Sequence, residues 1–225
     1  MVLAAILAVL ATPFLNEAAL KEYYDATSIY AIYNTKNADQ YTKTQNPLAA
    51  VMGICKHYGK LPQSVEKNAK TKPQSDKDWI RELNKFVKAA GLRDNDFGNM
   101  GKWKSNLGKT FKFKDVRKDV VEVENELTFD KERSHLKEWL VAKMPVMWVR
   151  EATGDEQDDI NKRINGGKPF PLTIALLDGM NDEGEFHVVW PRGNDRRYKH
   201  LKNGWYKVTE LFYDVNRSVL IYWRP

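Results

Sequence analysis

The period of the hydrophobic residues changes along this chain, and that change constrains the fold more than any other feature. In the first half, apolar residues recur at helical spacing. Trp79, Ile80, Leu83, Phe86 and Val87 share one face of the segment 76–90, with Ser75 placed to cap its start and Gly91 to end it. A second helix is expected over 47–58, because proline is tolerated in a first helical turn and Gly59 supplies a stop. Residues 13–33 also read as helical, and a further helix opens at Ser134 and runs through Leu136, Trp139 and Leu140. The second half instead carries short β-like runs at 116–129, 145–149, 172–177, 186–190, 205–208 and 219–223. Helices gathered first and strands gathered later predict an α+β domain with an antiparallel sheet, not a doubly wound parallel one. The polar stretches 34–46, 62–73 and 155–168 read as loops, and 93–118 is rich in Gly, Lys and Asn.

Composition narrows the function classes. With 42% hydrophobic and 29% charged residues over 225 positions, the chain can build a packed core and is not of the disordered type. Its single cysteine, Cys55, excludes an internal disulfide framework and any multi-thiolate metal site. The histidines His57, His135, His187 and His200 show no paired metal-ligand spacing, and the acidic cluster Asp155, Glu156, Asp158 and Asp159 lacks the spacing and central glycine of a calcium loop. No glycine-rich phosphate cradle is present, so neither a metal nor an organic cofactor is expected. The 36 basic and 30 acidic side chains leave a charge of +6, a weak pointer towards anionic partners.

Residues 1–11 form an unbroken apolar run that is too short to cross a bilayer, which takes about 20 residues. The run has the length of a signal-peptide core, but no Lys or Arg precedes it. Two expectations follow: a signal or anchor remnant, which favours an extracytoplasmic or membrane-associated location, or a buried N-terminal helix over 1–20. The remainder, 21–225, is expected to form a single domain.

Several short motifs fall in a suggestive order. Gln40 lies six residues before Asn46-Pro47-Leu48, whose helix closes in His57-Tyr58-Gly59. Later come the strand Glu185-Phe186-His187-Val188-Val189-Trp190 and, sixteen residues after His187, Asn203-Gly204-Trp205. This order resembles the papain-like cysteine peptidases, particularly the bacteriocin-processing type. The resemblance implies a papain-like fold with a cleft between helices and sheet. It also implies His187 as base, Asn203 as its orienter, Gln40 as an oxyanion donor, and the nucleophile at position 46. An amide has no thiolate to attack a carbonyl, so Asn46 implies a peptidase-like domain that has lost thiol catalysis and binds a peptide or protein in its cleft. Asp195 competes with Asn203 as orienter, although 191–195 reads as a turn.

Two other readings stay open. Cys55 could act with His187 in an active hydrolase, but on the helix it shares a face with Leu48, Val51 and Met52, the setting of a buried structural thiol. The segment 102–118 interleaves Lys102, Lys104, Lys109, Lys112, Lys114, Arg117 and Lys118 with Trp103, Phe111 and Phe113. Cations beside stacking aromatics suit single-stranded nucleic acid, and the same alternation suits a strand with one apolar face.

Overall fold

The computed structural model of the chain describes residues 11–34, 38–70, 76–90, 100–121, 130–150, 173–193, 202–212 and 218–225. The helices are α1 (Glu17–Asn34), α2 (Ala38–His57), α3 (Gln63–Lys70), α4 (Asp76–Ala90), α5 (Met100–Phe111), α6 (Asp130–Val141) and α7 (Val208–Phe212). The strands are β1 (Asp115–Val121), β2 (Val146–Arg150), β3 (Thr173–Met180), β4 (Phe186–Val189), β5 (Gly204–Tyr206) and β6 (Ser218–Arg224). They form one six-stranded sheet in the order β1-β6-β2-β3-β4-β5, with every pairing antiparallel. The α+β class expected from the change in periodicity is the class observed.

Both faces of the central strands β2, β3 and β6 are buried. Along β2, β3 and β6 the residues Met147, Val149, Ile174, Leu176, Val219, Ile221 and Trp223 join a core with residues of α1 to α5. Their alternates Val146, Trp148, Ala175, Leu177, Leu220 and Tyr222 join a second core with Leu136 and Leu140 of α6 and Leu211 and Phe212 of α7. Successive side chains on a strand point to opposite faces, so a strand covered on both sides is apolar throughout. That is why these strands read as continuous runs. Each large side chain so buried contributes about 1.5–3 kcal/mol.

The helices depart from the sequence expectations at three places. The polar stretch 62–73, read as a loop, contains α3, which Val65 anchors in the core at 2% exposure. The segment around 102–118 forms α5 and then β1, not one strand. Phe111 ends α5, Lys112 turns the chain with a φ of 54°, and both Phe111 and Phe113 are buried. Two of the three aromatics proposed to stack on nucleic acid therefore face the core, and the side chain of Trp103 lies outside those described. The third departure matters most: α2 begins at Ala38, so Gln40 and Asn46 are helical and Pro47 sits inside the helix. An interior proline removes one helical hydrogen bond, and beside it α2 is tied to α1. The Gln45 side-chain amide donates to the Tyr24 carbonyl at 2.7 Å, and the Thr27 hydroxyl lies 3.4 Å from the Gln45 carbonyl.

The start of the described chain also differs from a helix over 1–20. Residues 1–10 lie outside the described residues, and with them most of the apolar run. Ala11 pairs with Met180 at the end of β3, and α1 begins only at Glu17. Residues 11–20 are thus built into the domain, with Leu20 in its core. Among the described residues no helix is long and apolar enough to cross a membrane.

α1 and α2 pack closely. A Cβ on Gly53 would fall 2.2 Å from Leu20 Cδ2, so only glycine fits there without displacing the core leucine. The C-terminal end of α2 brings His57 against Phe14, with ring centroids 5.1 Å apart, and places its Nε2 2.7 Å from the Lys143 carbonyl. Burial lowers the His57 pKa, partly opposed by the Lys143 carbonyl and the negative charge of Asp178. A histidine whose folded pKa is depressed supports the fold fully above its unfolded value of about 6.5 and loses that support as pH falls below it. Urea denaturation between pH 8 and pH 5 is therefore expected to show stability declining below about pH 6.5, with a shallower decline in His57→Gln.

Candidate functional site

The site forms where the extended chain 11–16 crosses β3 and turns into α1. The Met180 N–H donates to the Ala11 carbonyl at 2.9 Å, which pins this segment to the sheet. Asn16 then caps α1, its side-chain oxygen accepting the Ala19 N–H at 3.0 Å. The first helical turn consequently carries Glu17 into the site. On the sheet side, the β3–β4 register shifts between Leu177 and Gly179, and Asp178 occupies the irregularity.

Asp178 is fully buried at 0% exposure and accepts three hydrogen bonds. The N–H groups of Phe14 and Leu15 donate to Oδ2 at 3.0 and 2.8 Å, and His187 Nδ1 lies 2.7 Å from Oδ1. A carboxylate only accepts, so this contact puts the imidazole proton on Nδ1 and leaves Nε2 on the side of Glu17, although His187 itself is buried at 7% exposure. His187 Nε2 is 3.8 Å from Glu17 Oε1. Asn203 Nδ2 donates to Glu17 Oε2 at 2.6 Å, and Asn203 Oδ1 accepts the Trp190 N–H at 2.8 Å. Trp205 meets the His187 ring edge-on, with centroids 5.1 Å apart. Behind them, a Cβ on Gly179 would stand 3.1 Å from each of His187 Cβ, Pro13 N and Trp205 Cη2, so the strand is glycine where these three groups converge.

Of the four residues expected to share a site, the structure brings two together. His187 and Asn203 both meet Glu17, but Asn203 does not orient the imidazole. That position belongs to Asp178, and Asp195 lies outside the described residues. Asn46 is remote. α2 reaches this region with its C-terminal His57, and Asn46 lies eleven residues earlier, about 16 Å back along the axis at 1.5 Å per residue. The helix that starts at the site is α1, because α1 and α2 are packed neighbours running in opposite directions, as the contacts Leu20–Gly53 and Tyr24–Gln45 require. Asn46 Oδ1 is buried without a hydrogen-bond partner, and inside α2 it has no free helix N–H groups beside it. Gln40 lies in the first turn of α2, with its side chain outside those described.

Sequence reasoning missed Asp178 and Glu17. An acid following four apolar residues of a strand, Ile174 to Leu177, was the available sign for Asp178, and Asn16-Glu17 at a helix start was the one for Glu17. Cys55, by contrast, is buried at 0% exposure as its helical neighbours implied, and burial pushes its thiol pKa up to about 12. Among the described residues no cluster of three His, Cys, Asp or Glu side chains could hold a metal ion.

Asp178→Ala leaves two backbone N–H groups and one imidazole N–H without their acceptor. Urea unfolding is expected to show a loss of about 3–5 kcal/mol, and nitrogen NMR to show His187 released from its single tautomer. Asp178→Asn, which keeps an acceptor for the backbone, is expected to cost less.

Compared with known proteins, the chain matches no family model and no curated protein. Among solved structures it is similar to active interpain A, a cysteine protease of Prevotella intermedia, with 13% identity and a TM-score of 0.43 over 71% of this chain and 63% of that one. It is also similar to a prointerpain A fragment from the same organism, with 15% identity and a TM-score of 0.38 over 64% of this chain and 41% of that one. The chain thus spans less than two thirds of either structure.

Proposed function

We propose that this chain is a cysteine-peptidase-like domain that has lost thiol catalysis and holds a peptide or protein segment against the face bearing His187. The observation that carries this reading is the Asp178–His187 pair aimed at the start of α1, where the facing side chain is the carboxylate of Glu17. A cysteine peptidase needs an imidazole to take the thiol proton and a helix N-terminus to favour the thiolate. The imidazole, its orienting carboxylate and the helix start are all in place here. A carboxylate in the facing position forms no thioester, and its charge, favoured by the helix dipole, opposes a second anion beside it.

Cys55 does not supply the missing sulfur. Its thiol is enclosed by the α2 core and is held protonated by burial, so it presents no thiolate at neutral pH. The nucleic-acid reading loses its stacking surface with Phe111 and Phe113 in the core. Gln40 as oxyanion donor and Asn46 as the nucleophile position are not retained, since α2 does not begin at His187.

Iodoacetamide at pH 7.5 is expected to leave Cys55 unlabelled in the folded protein and to label it fully in 6 M guanidinium. A fluorogenic peptide-amide library should show no turnover by the wild type or by Cys55→Ala. Labelling of the folded protein by a peptide electrophile, together with hydrolysis abolished in Cys55→Ala, would overturn the reading.

A further inference from the structure

We infer that the outward face of α4 is a docking surface for an acidic amphipathic helix of a partner protein. This face belongs to the helical layer and is independent of the reading of His187 above. The inner face of α4 is committed to the domain, with Trp79, Leu83, Phe86 and Ala90 in the core. Three polar contacts hold the helix in place. Trp79 Nε1 donates to the Ala26 carbonyl of α1 at 2.9 Å, and the Ser64 hydroxyl of α3 donates to Glu82 at 3.0 Å. From α5, the Thr110 hydroxyl donates to the Ala89 carbonyl at 2.8 Å. Along the opposite face opens a cavity of about 530 Å³, lined by Lys77, Ile80, Arg81, Asn84, Lys85 and Lys88. Ile80 is half-buried and the other five are exposed.

The charge of this face has one sign where a ligand would meet it. At about 100° per residue, Lys77, Arg81, Asn84 and Lys88 fall within about 60° of one another, whereas Asp78 and Glu82 lie on one flank. Those two acids pair sideways, Asp78 with Arg81 at 3.1 Å and Glu82 with Lys85 at 2.8 Å. Lys77 and Lys88, at the two ends of the stripe, have no ion pair or hydrogen bond among the described residues. The basic side chains thus recur three or four residues apart, about one turn or 6 Å. A helix lying alongside with carboxylates at one-turn steps has the same repeat, and an apolar residue between them meets Ile80 and the lysine stems. A second copy of this chain would set the same cations against each other. The cavity has no aromatic side chain on which a base could stack, and one half-buried isoleucine offers a bilayer little apolar area.

The experiment is calorimetric titration of the full chain with three acetylated, amidated peptides. The first carries glutamates at one-turn spacing beside a stripe of leucines. The second has glutamine for every glutamate, and the third has the residues of the first in an order that breaks the spacing. The first is expected to bind about ten-fold more tightly than either of the others, since each exposed ion pair is worth about two-fold and four are lost. Its affinity should fall as salt rises. The double variant Lys77→Glu/Lys88→Glu should lose about ten-fold for the first peptide, and Ile80→Ser should weaken it with an unchanged salt dependence. The double variant Lys114→Glu/Lys137→Glu makes the same change of net charge away from α4 and should bind as the wild type does. Circular dichroism and the protection of Cys55 from iodoacetamide establish that each variant is folded. Equal binding of the first and third peptides overturns the proposal, as does no binding of the first, or equal loss in both double variants. A single-stranded oligonucleotide or a phosphatidylserine vesicle that binds more tightly than the first peptide, and is released by Lys77→Glu/Lys88→Glu, overturns it in favour of that ligand. A dimer in sedimentation that the same substitutions dissociate overturns it in favour of a second copy. None of these outcomes touches the reading of His187, whose labelling and hydrolysis tests do not involve α4.

Discussion

The buried carboxylate of Asp178 is the contact on which the arrangement of the site depends. It is enclosed at 0% exposure, and an unpaired charge in that setting would cost several kcal/mol. Three donors meet it: two consecutive N–H groups of the extended entry segment and the imidazole of the neighbouring strand. The same group therefore fixes where the chain enters the sheet, where α1 can start, and which nitrogen of His187 faces Glu17. Charge-assisted hydrogen bonds of this kind are stronger and more directional than neutral ones, so the three elements are coupled through one residue.

The sheet provides the rigidity that this contact requires. Because both faces are covered, β3 and β4 cannot shift without exposing one of two cores, and the irregularity between Leu177 and Gly179 remains where Asp178 needs it. Gly179 allows Pro13, His187 and Trp205 to approach the strand more closely than a side chain would permit. Asn203 then ties the end of β4 to Glu17 and closes the cluster from the β5 side. The outcome is a preorganised imidazole bordered by one carboxylate in contact with solvent and one partly exposed indole.

Much of the fold was legible in the sequence because hydrophobic period reports element type directly. The helix 76–90 and the strands of the second half occur within a few residues of where their patterns place them. The failures have local causes. In 38–46 and 62–70, runs of polar residues carry few apolar markers, and a proline was given the first-turn position when it lies inside α2. His187 and Asn203 were recognisable from short motifs, since each sits beside distinctive aromatic neighbours. Asp178 and Glu17 were not, because the local sign for each is weak and their partners lie 9 to 186 positions away.

What the sequence determined by itself is the α+β class, the apolar strands, the inert character of Cys55 and the candidacy of His187. These depend on residue type and on spacing within one element. What only the tertiary structure decided is which helix starts at His187 and which acid orients it. α1 and α2 are adjacent helices of opposite direction, so only one can present its N-terminus to the sheet, and the local sequence of either would serve as a helix start. The choice falls to α1 because its entry segment carries the two N–H groups that satisfy Asp178, a requirement that exists only once strand and helix have been brought together.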